Sequence, residues 1–166
     1  GMILPPTEYM QKLYAAVHEA GALFIVDEAQ TGFGRCGTWF DVEHYEINPD
    51  LLMFSKTAGN GYPVAGVVVS KTVAKQLEDK CFTHLSSHQN EPLSVAAVSA
   101  VIDIVESQNL VSHSFEMGEY FMQRLNELKR KYSHIKEIRG RGLMIGMELH
   151  AQEGNDDEET ALSLAL

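Results

Sequence analysis

Two reactive side chains follow short apolar runs in this sequence. Asp27 comes directly after LFIV (residues 23–26), and Lys56 comes after LLMFS (residues 51–55). Apolar runs without polar alternation predict strands that are buried on both faces, and an uncompensated charge at the end of such a strand is costly. A pyridine aldehyde would compensate both charges, because a lysine forms an imine with the aldehyde and a carboxylate keeps the ring nitrogen protonated. In open α/β sheets, ligands of this kind bind at the carboxyl ends of the strands.

Two other interpretations of the polar residues have less support. Four apolar residues followed by Asp-Glu also occur in P-loop ATPases, but these proteins need an upstream GxxxxGK[ST] loop, which this sequence lacks. His84 and His88 have a spacing that can place two metal ligands on one helix face. Their segment, residues 81–91, is polar and irregular and offers no evident third ligand beyond Glu91. We therefore predict loop histidines in a polar pocket and no metal site.

The composition excludes several classes of protein. The net charge of −10 argues against nucleic acid or an anionic membrane as the main partner, because both attract basic surfaces. No apolar run approaches the ~20 residues that span a bilayer, and the first residues do not have the pattern of a secretory signal. The two cysteines, Cys36 and Cys81, are too few for a disulfide framework. They predict free thiols in a reducing compartment, the cytoplasm or an organelle matrix.

Helices alternate with short strands along the chain. The sequence predicts a helix that Thr7 caps and Gly21 ends, a helix that Ser70 or Thr72 caps, a well-buried helix over 92–105 and a fourth over 110–132. The predicted strands cover 23–26, 51–54, 67–69, 135–138 and 143–149, and the motif RGRG joins the last two. This alternation predicts an α/β fold with a mostly parallel sheet.

Motifs spread along the chain resemble those of the class III pyridoxal-phosphate-dependent aminotransferases. They are GMILPPTEYM (1–10), IVDEAQTGFGRCG (25–37), NPD (48–50), SKTAGNGYPVAG (55–66) and RGRGLMIGMEL (139–149). The similarity covers nearly all 166 positions. It implies part of the large domain of a fold-type I transferase, with a mostly parallel sheet flanked by helices, over residues 1–108. Residues 109–166 would form a connecting helix and the start of a small α+β C-terminal domain.

The resemblance also implies a role for five residues. Lys56 would form the Schiff base with pyridoxal 5'-phosphate and carry the proton between the substrate α-carbon and the cofactor. Asp27 would pair with the pyridine nitrogen, Ala29 would lie against one face of the ring, and Gln30 would hydrogen-bond near the phenolic oxygen. Ser87 would reach the cofactor phosphate of a neighbouring subunit, which implies a homodimer. No metal ligand is implied.

The implied activity is transfer of an amino group from an amino acid or amine to a 2-oxo acid. DEAQTG and SKTAG look particularly like 2,2-dialkylglycine decarboxylase, so decarboxylation coupled to transamination is one alternative. In this family, the phosphate loop and the aromatic residue that stacks on the ring precede the region matched here, and the arginine for the substrate carboxylate usually follows it. We therefore expect the 166-residue chain to be an inactive fragment by itself. A non-catalytic truncated homologue that acts as a structural partner is the other alternative.

Overall fold

A computed structural model describes residues 3–150 of the chain. Its helices and strands follow the predicted order, and they are listed here with their bounds. The helices are α1 (Thr7–Glu19), α2 (Lys71–Asp79), α3 (Pro92–Ser107) and α4 (Leu110–Lys131). The strands are β1 (Ile25–Asp27), β2 (Leu51–Phe54), β3 (Gly66–Val69), β4 (Ile135–Arg141) and β5 (Met144–Leu149). Two short 3-10 helices cover Asp41–Tyr45 and Lys56–Gly59. The predicted end of the second domain, residues 151–166, lies outside the described residues, and the boundary at 108/109 stays a prediction.

The first three strands form one sheet in the order β1-β2-β3. Strands β1 and β2 are parallel neighbours, and Asp27 is paired with Met53 in their register. Strand β3 runs antiparallel to β2, so the three described strands form one parallel and one antiparallel pair. The reason for the antiparallel pair is the length of the connection, since residues 55–65 are too few for the crossover that a parallel neighbour needs.

The core lies on one face of this sheet. The buried residues of the cluster are Phe24, Val42, Tyr45, Ile47 and Leu52, and side chains of α1 pack against them. The opposite face carries Ile25, Met53 and Val67, which are 53%, 37% and 55% exposed. The prediction that both faces of the first strand are buried is therefore wrong for the described chain, in which no second layer covers this face.

Capping residues and a glycine explain the ends of α1 and α2. Ser70 caps α2 as predicted, because its Oγ accepts a hydrogen bond from the Val73 N–H at 3.3 Å. Thr7 is instead the first residue of α1, and Pro6 occupies the cap position with an extended backbone. Gly21 ends the turn after α1 with φ 73°, a left-handed conformation that suits glycine.

Helix α3 is less buried than its apolar sequence predicts. Of its residues only Val105 is buried, whereas Leu93 and Val95 are 65% and 55% exposed. Within residues 3–150, no single helix is long and apolar enough to cross a membrane. The helices α3 and α4 meet that criterion only as a pair that is bent by 64°.

The hairpin β4–β5 packs on α4 and on the loop that follows β1. Most of RGRG belongs to β4, so the prediction that this motif joins the two strands is wrong, and only Gly142 and Leu143 form the turn. Gly142 has φ 51°, and a Cβ there would lie 2.6 Å from the Gly37 nitrogen. The Leu143 N–H donates to the Arg35 carbonyl at 2.9 Å. The hairpin is thus held against residues 35–37.

Two acidic side chains fix the ends of the sheet strands and the adjoining loop. Asp50, just before β2, accepts hydrogen bonds from the Phe24 N–H and the His18 imidazole, both at 2.7 Å. These bonds lower the pKa of Asp50 below its ordinary value. Asp41 faces the Arg141 guanidinium at 3.4 Å. Both contacts join segments that are far apart in the sequence, and they hold the region after β1 in place.

Candidate active site

Asp27 and Lys56 leave the sheet at the same edge. Because β1 and β2 are parallel neighbours, their carboxyl ends lie side by side, as the sequence predicts. Asp27 is the last residue of β1, and Lys56 begins the 3-10 helix two residues after β2 ends. Lys56 has φ 44°, a left-handed conformation that costs free energy for a residue with a Cβ. Such strain often marks a functional position.

Lys56 and Gln30 line one cleft. The Lys56 Nζ donates to the Gln30 Oε1 at 3.3 Å. The cleft has a volume of about 530 Å³, and its lining residues are Gln30, Arg35, Lys56, Thr57, Leu143, Met144 and Ile145. Its size is that of a small-molecule site. Two of the predicted site residues therefore meet in one concave surface, although their roles stay predictions.

Asp27 and Ala29 lie beside this cleft rather than in its lining. The Asp27 Oδ1 accepts a hydrogen bond from the Ala29 N–H at 3.0 Å, which fixes the turn that leads to Gln30. Among the described residues, no ion pair joins Asp27 to Lys56, and both are exposed. The expectation of two charges that are buried at strand ends is therefore wrong for this chain, because β1 and β2 are covered on one face only.

Ser87 does not join the cleft. Residues 81–91 form turns and irregular backbone, and Ser87 is exposed, as are His84 and His88. The predicted contact of Ser87 with a neighbouring subunit's cofactor stays a prediction. The histidines are loop residues as predicted, but they are exposed rather than held in a pocket. No group of three or more His, Cys, Asp or Glu side chains within residues 3–150 could hold a metal ion.

Glu28 is a site residue that the sequence interpretation missed. It is 3% exposed and accepts hydrogen bonds from the Val42 N–H at 2.8 Å, the Asp41 N–H at 3.1 Å and the Thr31 hydroxyl. It thus caps the 3-10 helix Asp41–Tyr45 from a distant position in the sequence. Between Asp27 and Gln30, this buried carboxylate anchors the turn that carries both. Thr31, three residues after Glu28, is the sequence signal that could have revealed it.

Arg35 is the second residue that the sequence interpretation missed. Arg35 belongs to the motif IVDEAQTGFGRCG (25–37), but the sequence interpretation assigns no role to it. In the structure Arg35 lines the same cleft as Lys56. Its backbone carbonyl accepts hydrogen bonds from the Leu143 N–H at 2.9 Å and the Ser114 hydroxyl at 3.2 Å. Gly34 and Gly37 flank Arg35 in the sequence. These glycines are the sequence signal that another segment, here the turn at Gly142, packs closely against this backbone.

A larger cleft of about 740 Å³ lies elsewhere, between residues 37–39, His44 and the junction of α3 and α4. It contains none of the predicted site residues. Near it, Cys36 is buried and free, whereas the other free thiol, Cys81, is exposed. Burial, followed by the neighbouring charge of Asp41, raises the pKa of the Cys36 thiol to about 12. Cys36 is therefore a packing residue and not a nucleophile.

Comparison with known proteins agrees with this geometry. A family model described as aminotransferase class-III matches residues 1–165. The chain is 35% identical to an alanine/serine racemase from Pyrococcus horikoshii, over 96% of this chain and 33% of that protein. It is 33% identical to human mitochondrial alanine–glyoxylate aminotransferase 2, over 90% of this chain and 29% of that protein.

Solved structures show the same fold. An S-selective transaminase from Arthrobacter sp. with alanine bound matches 89% of this chain and 32% of its own, at 33% identity and a TM-score of 0.85. A taurine:2-oxoglutarate aminotransferase from Bifidobacterium kashiwanohense, in complex with PLP and glutamate, matches 99% of this chain and 39% of its own, at 27% identity and a TM-score of 0.89. The chain belongs to the class III aminotransferase family, and the predicted family and fold class are confirmed. It spans about a third of the length of the curated relatives named above.

Pyridoxal phosphate is the cofactor of this family, and the residues present fit part of its site. The Lys56 amine contacts only the Gln30 amide among its polar neighbours within residues 3–150, so it is available to an aldehyde. The Asp27 carboxylate has one backbone hydrogen bond and no cationic partner in the same part of the chain. A free amine and a free carboxylate at one sheet edge are the groups that a pyridine aldehyde requires.

Proposed function

We propose that the protein containing this chain is a pyridoxal-phosphate-dependent aminotransferase that moves an amino group from an amino acid or amine to a 2-oxo acid. The observation that supports it most directly is the contact of Lys56 with Gln30 in a cleft beside Asp27, at the carboxyl ends of two parallel strands. Family membership supports it independently. The expected partners are a small amino donor, a small oxo-acid acceptor and a second copy of the chain.

The proposed roles follow from what each group can do. When bound, pyridoxal phosphate supplies an aldehyde that captures the substrate amine and a protonated ring that takes up electrons released at the α-carbon. Lys56 would hold the cofactor, and its Nζ would move a proton to and from the substrate α-carbon. Asp27 would keep the ring nitrogen protonated. Gln30 would hydrogen-bond near the phenolic oxygen, and Ala29 would lie against the ring.

The test uses the complete gene product that contains this chain. Purified protein is incubated with pyridoxal phosphate, reduced with borohydride and digested, and the modified lysine is located by mass spectrometry. We expect modification of Lys56 and its loss in Lys56→Ala. Lys71→Ala is the matched control, because Lys71 is an exposed lysine at the start of α2. Absence of a fixed adduct at Lys56, together with unchanged turnover in Lys56→Ala, would refute the proposal.

Racemisation is a second candidate, because a relative that is 35% identical over 96% of this chain is named as a racemase. Decarboxylation coupled to transamination, suggested by DEAQTG and SKTAG, stays a further alternative. The products discriminate them. Transamination gives an oxo acid in proportion to the acceptor, racemisation gives the mirror-image amino acid without an acceptor, and decarboxylation releases carbon dioxide.

Three further expectations belong to this proposal. A homodimer is proposed because Ser87 is expected to reach the cofactor phosphate of a neighbouring subunit. The proposed compartment is the cytoplasm or an organelle matrix, where free thiols such as Cys36 and Cys81 persist. The 166-residue chain by itself is expected to be inactive. Pyridoxal phosphate-dependent turnover by this chain alone would contradict the last expectation, and it would leave the assignment of Lys56 intact.

A further inference from the structure

The backbone of Lys56 is held in a conformation that an unconstrained lysine would leave. Its φ is 44°, and in this left-handed region the Cβ lies too close to the following carbonyl oxygen. Strain of this kind persists only where the surrounding contacts enforce it. Among the described residues, the Lys56 side chain makes one polar contact, the bond from its Nζ to the Gln30 amide. The segments on either side of Lys56 must therefore hold its backbone.

The segment before Lys56 is tied to both neighbouring strands. Strand β2 lies between β1 and β3, and the Glu28 N–H donates to the Met53 carbonyl at 2.8 Å. This bond fixes the end of β2 relative to Asp27, the residue before Glu28. Only two residues separate Met53 from Lys56. The position of Lys56 relative to Asp27 is thus fixed except for the conformation of these two residues.

The segment after Lys56 is packed tightly. Ala58 is 0% exposed, and a Cβ on Gly59 would lie 2.6 Å from the Val64 Cγ1. Residues 61–63 of the same loop are exposed. The loop is therefore packed near Lys56 and open to solvent at its tip.

Ser55 joins the two ends of this loop. Its Oγ donates a hydrogen bond to the carbonyl of Val64, nine residues further along the chain, at 2.8 Å. In the described part of the chain, it is the one side-chain hydrogen bond within residues 55–65. Val64 leads into β3, which pairs with β2. The Ser55 hydroxyl therefore links the residue just before Lys56 to the strand on the far side of the loop.

We propose that Ser55 is a positioning residue of the proposed reaction: its hydroxyl closes the loop and thereby holds the Lys56 backbone in the left-handed conformation from which Nζ reaches the cleft. This inference rests on the proposed function and concerns how the same site is kept in order. A displacement of a reacting group by about 1 Å can lower a rate strongly. A hydroxyl that acts only on the backbone of the lysine can therefore control proton transfer by its Nζ.

The first part of the experiment measures turnover by the holoenzyme of the complete gene product, with the amino acid that it converts fastest. In Ser55→Ala we expect kcat to fall about 3- to 10-fold, because one neutral hydrogen bond is lost, with KM changed by less than about twofold. The isotope effect of the α-deuterated amino acid should rise, because proton transfer becomes slower relative to the other steps. Ser55→Thr keeps the hydroxyl and should retain kcat.

Ser70→Ala is the matched control. Ser70 also has an Oγ with one hydrogen bond to the backbone, from the Val73 N–H at 3.3 Å. However, the Ser70 N–H donates to the Asp50 carbonyl, so Ser70 lies at the opposite end of β2 from Lys56. We expect a melting temperature as low as that of Ser55→Ala, with kcat and the isotope effect unchanged.

The second part needs neither cofactor nor turnover. It measures amide hydrogen exchange of residues 56–64 by mass spectrometry in the cofactor-free protein. The Asn60 and Tyr62 N–H groups form backbone hydrogen bonds within the loop. In Ser55→Ala we expect them to exchange about 3- to 10-fold faster, because the loop opens more often. Ser55→Thr and Ser70→Ala should exchange as the unmodified protein does.

Each outcome supports or overturns the inference. If Ser55→Ala lowers the melting temperature while kcat and the isotope effect stay unchanged, Ser55 has only a structural role and the inference is wrong. An equal loss of kcat in Ser70→Ala or in Ser55→Thr also overturns it. If Ser55→Ala weakens the binding of pyridoxal phosphate and saturating cofactor restores kcat, the hydroxyl serves the cofactor, and the inference is again wrong. A borohydride-fixed adduct at Lys56 in every variant shows that the proposed function survives such a failure, whereas its absence from the unmodified protein refutes the proposed function itself.

Discussion

Replacement of Glu28 by alanine should destabilise the protein strongly, although Glu28 has no role in the proposed reaction. Glu28 is 3% exposed and accepts hydrogen bonds from the Val42 N–H at 2.8 Å and the Asp41 N–H at 3.1 Å. Alanine leaves both N–H groups without this acceptor. The Val42 N–H is buried, so the loss of its acceptor costs about 2–3 kcal/mol. The Asp41 N–H is half-buried, and the loss of its acceptor costs about 1 kcal/mol. We expect a total of about 3–4 kcal/mol.

Glu28→Gln should cost less, about 1–2 kcal/mol, because the amide oxygen still accepts from the Val42 N–H. The bond from the Asp41 N–H is lost, and the new amide N–H can donate to the Thr31 hydroxyl oxygen in place of the bond that Glu28 accepts from it. Glu127→Gln is the matched control. It breaks an exposed pair with Arg124 and should change the stability by less than about 0.5 kcal/mol. The free energies come from urea denaturation with equal slopes. A loss below about 1 kcal/mol in Glu28→Ala, or equal losses in both Glu28 variants, would refute the capping role.

Three other predictions concern stability and reactivity. Cys36 should resist iodoacetamide at pH 8 in the folded protein and react after unfolding, because burial raises its pKa to about 12; mass spectrometry that shows rapid modification of the folded protein would contradict this. Gly142→Ala should cost about 2–4 kcal/mol, because the new Cβ would meet the loop at 2.6 Å, whereas Gly21→Ala, with φ 73° and open space, should cost about 1 kcal/mol. Equal unfolding free energies for these two variants would show that the close approach of Gly142 does not matter. Asp50→Asn should destabilise the protein at pH 6, with a cost that disappears as the pH falls well below 3.8, because the hydrogen bond from the Phe24 amide lowers the pKa of Asp50 and its contribution is lost on protonation. A cost that is independent of pH would contradict this sign.

The order of the elements and the edge that carries the site could be predicted from local patterns. Apolar runs, glycines and capping residues determine the local conformation of a few neighbouring positions. For this reason β1, β2 and the loop after β1 can be predicted from the sequence. The resemblance added Gln30 to the pair Asp27 and Lys56. The structure then brought Gln30 to within 3.3 Å of Lys56 across the cleft.

Long-range contacts and coverage could not be predicted in the same way. Glu28 reaches the N–H of Val42, and Arg35 meets Leu143 across the fold, and neither contact has a local pattern. The burial of the first strand was wrongly predicted for a related reason. An uninterrupted apolar run such as residues 23–26 shows that a strand can be covered on both faces, but the covering layer is not encoded in the run itself. The exposure of Asp27 and Lys56 follows from the single covered face of the sheet.

The most direct measurement of the central claim is the identity of the lysine that borohydride fixes to pyridoxal phosphate in the complete gene product. The account predicts one stoichiometric adduct, on Lys56, that is lost in Lys56→Ala and retained in Lys71→Ala. It also predicts that Asp27→Asn keeps the adduct and loses turnover, because the carboxylate holds the ring proton and does not form the bond. An adduct on another lysine with Lys56 unmodified, in a protein that turns over amino acids, would contradict it.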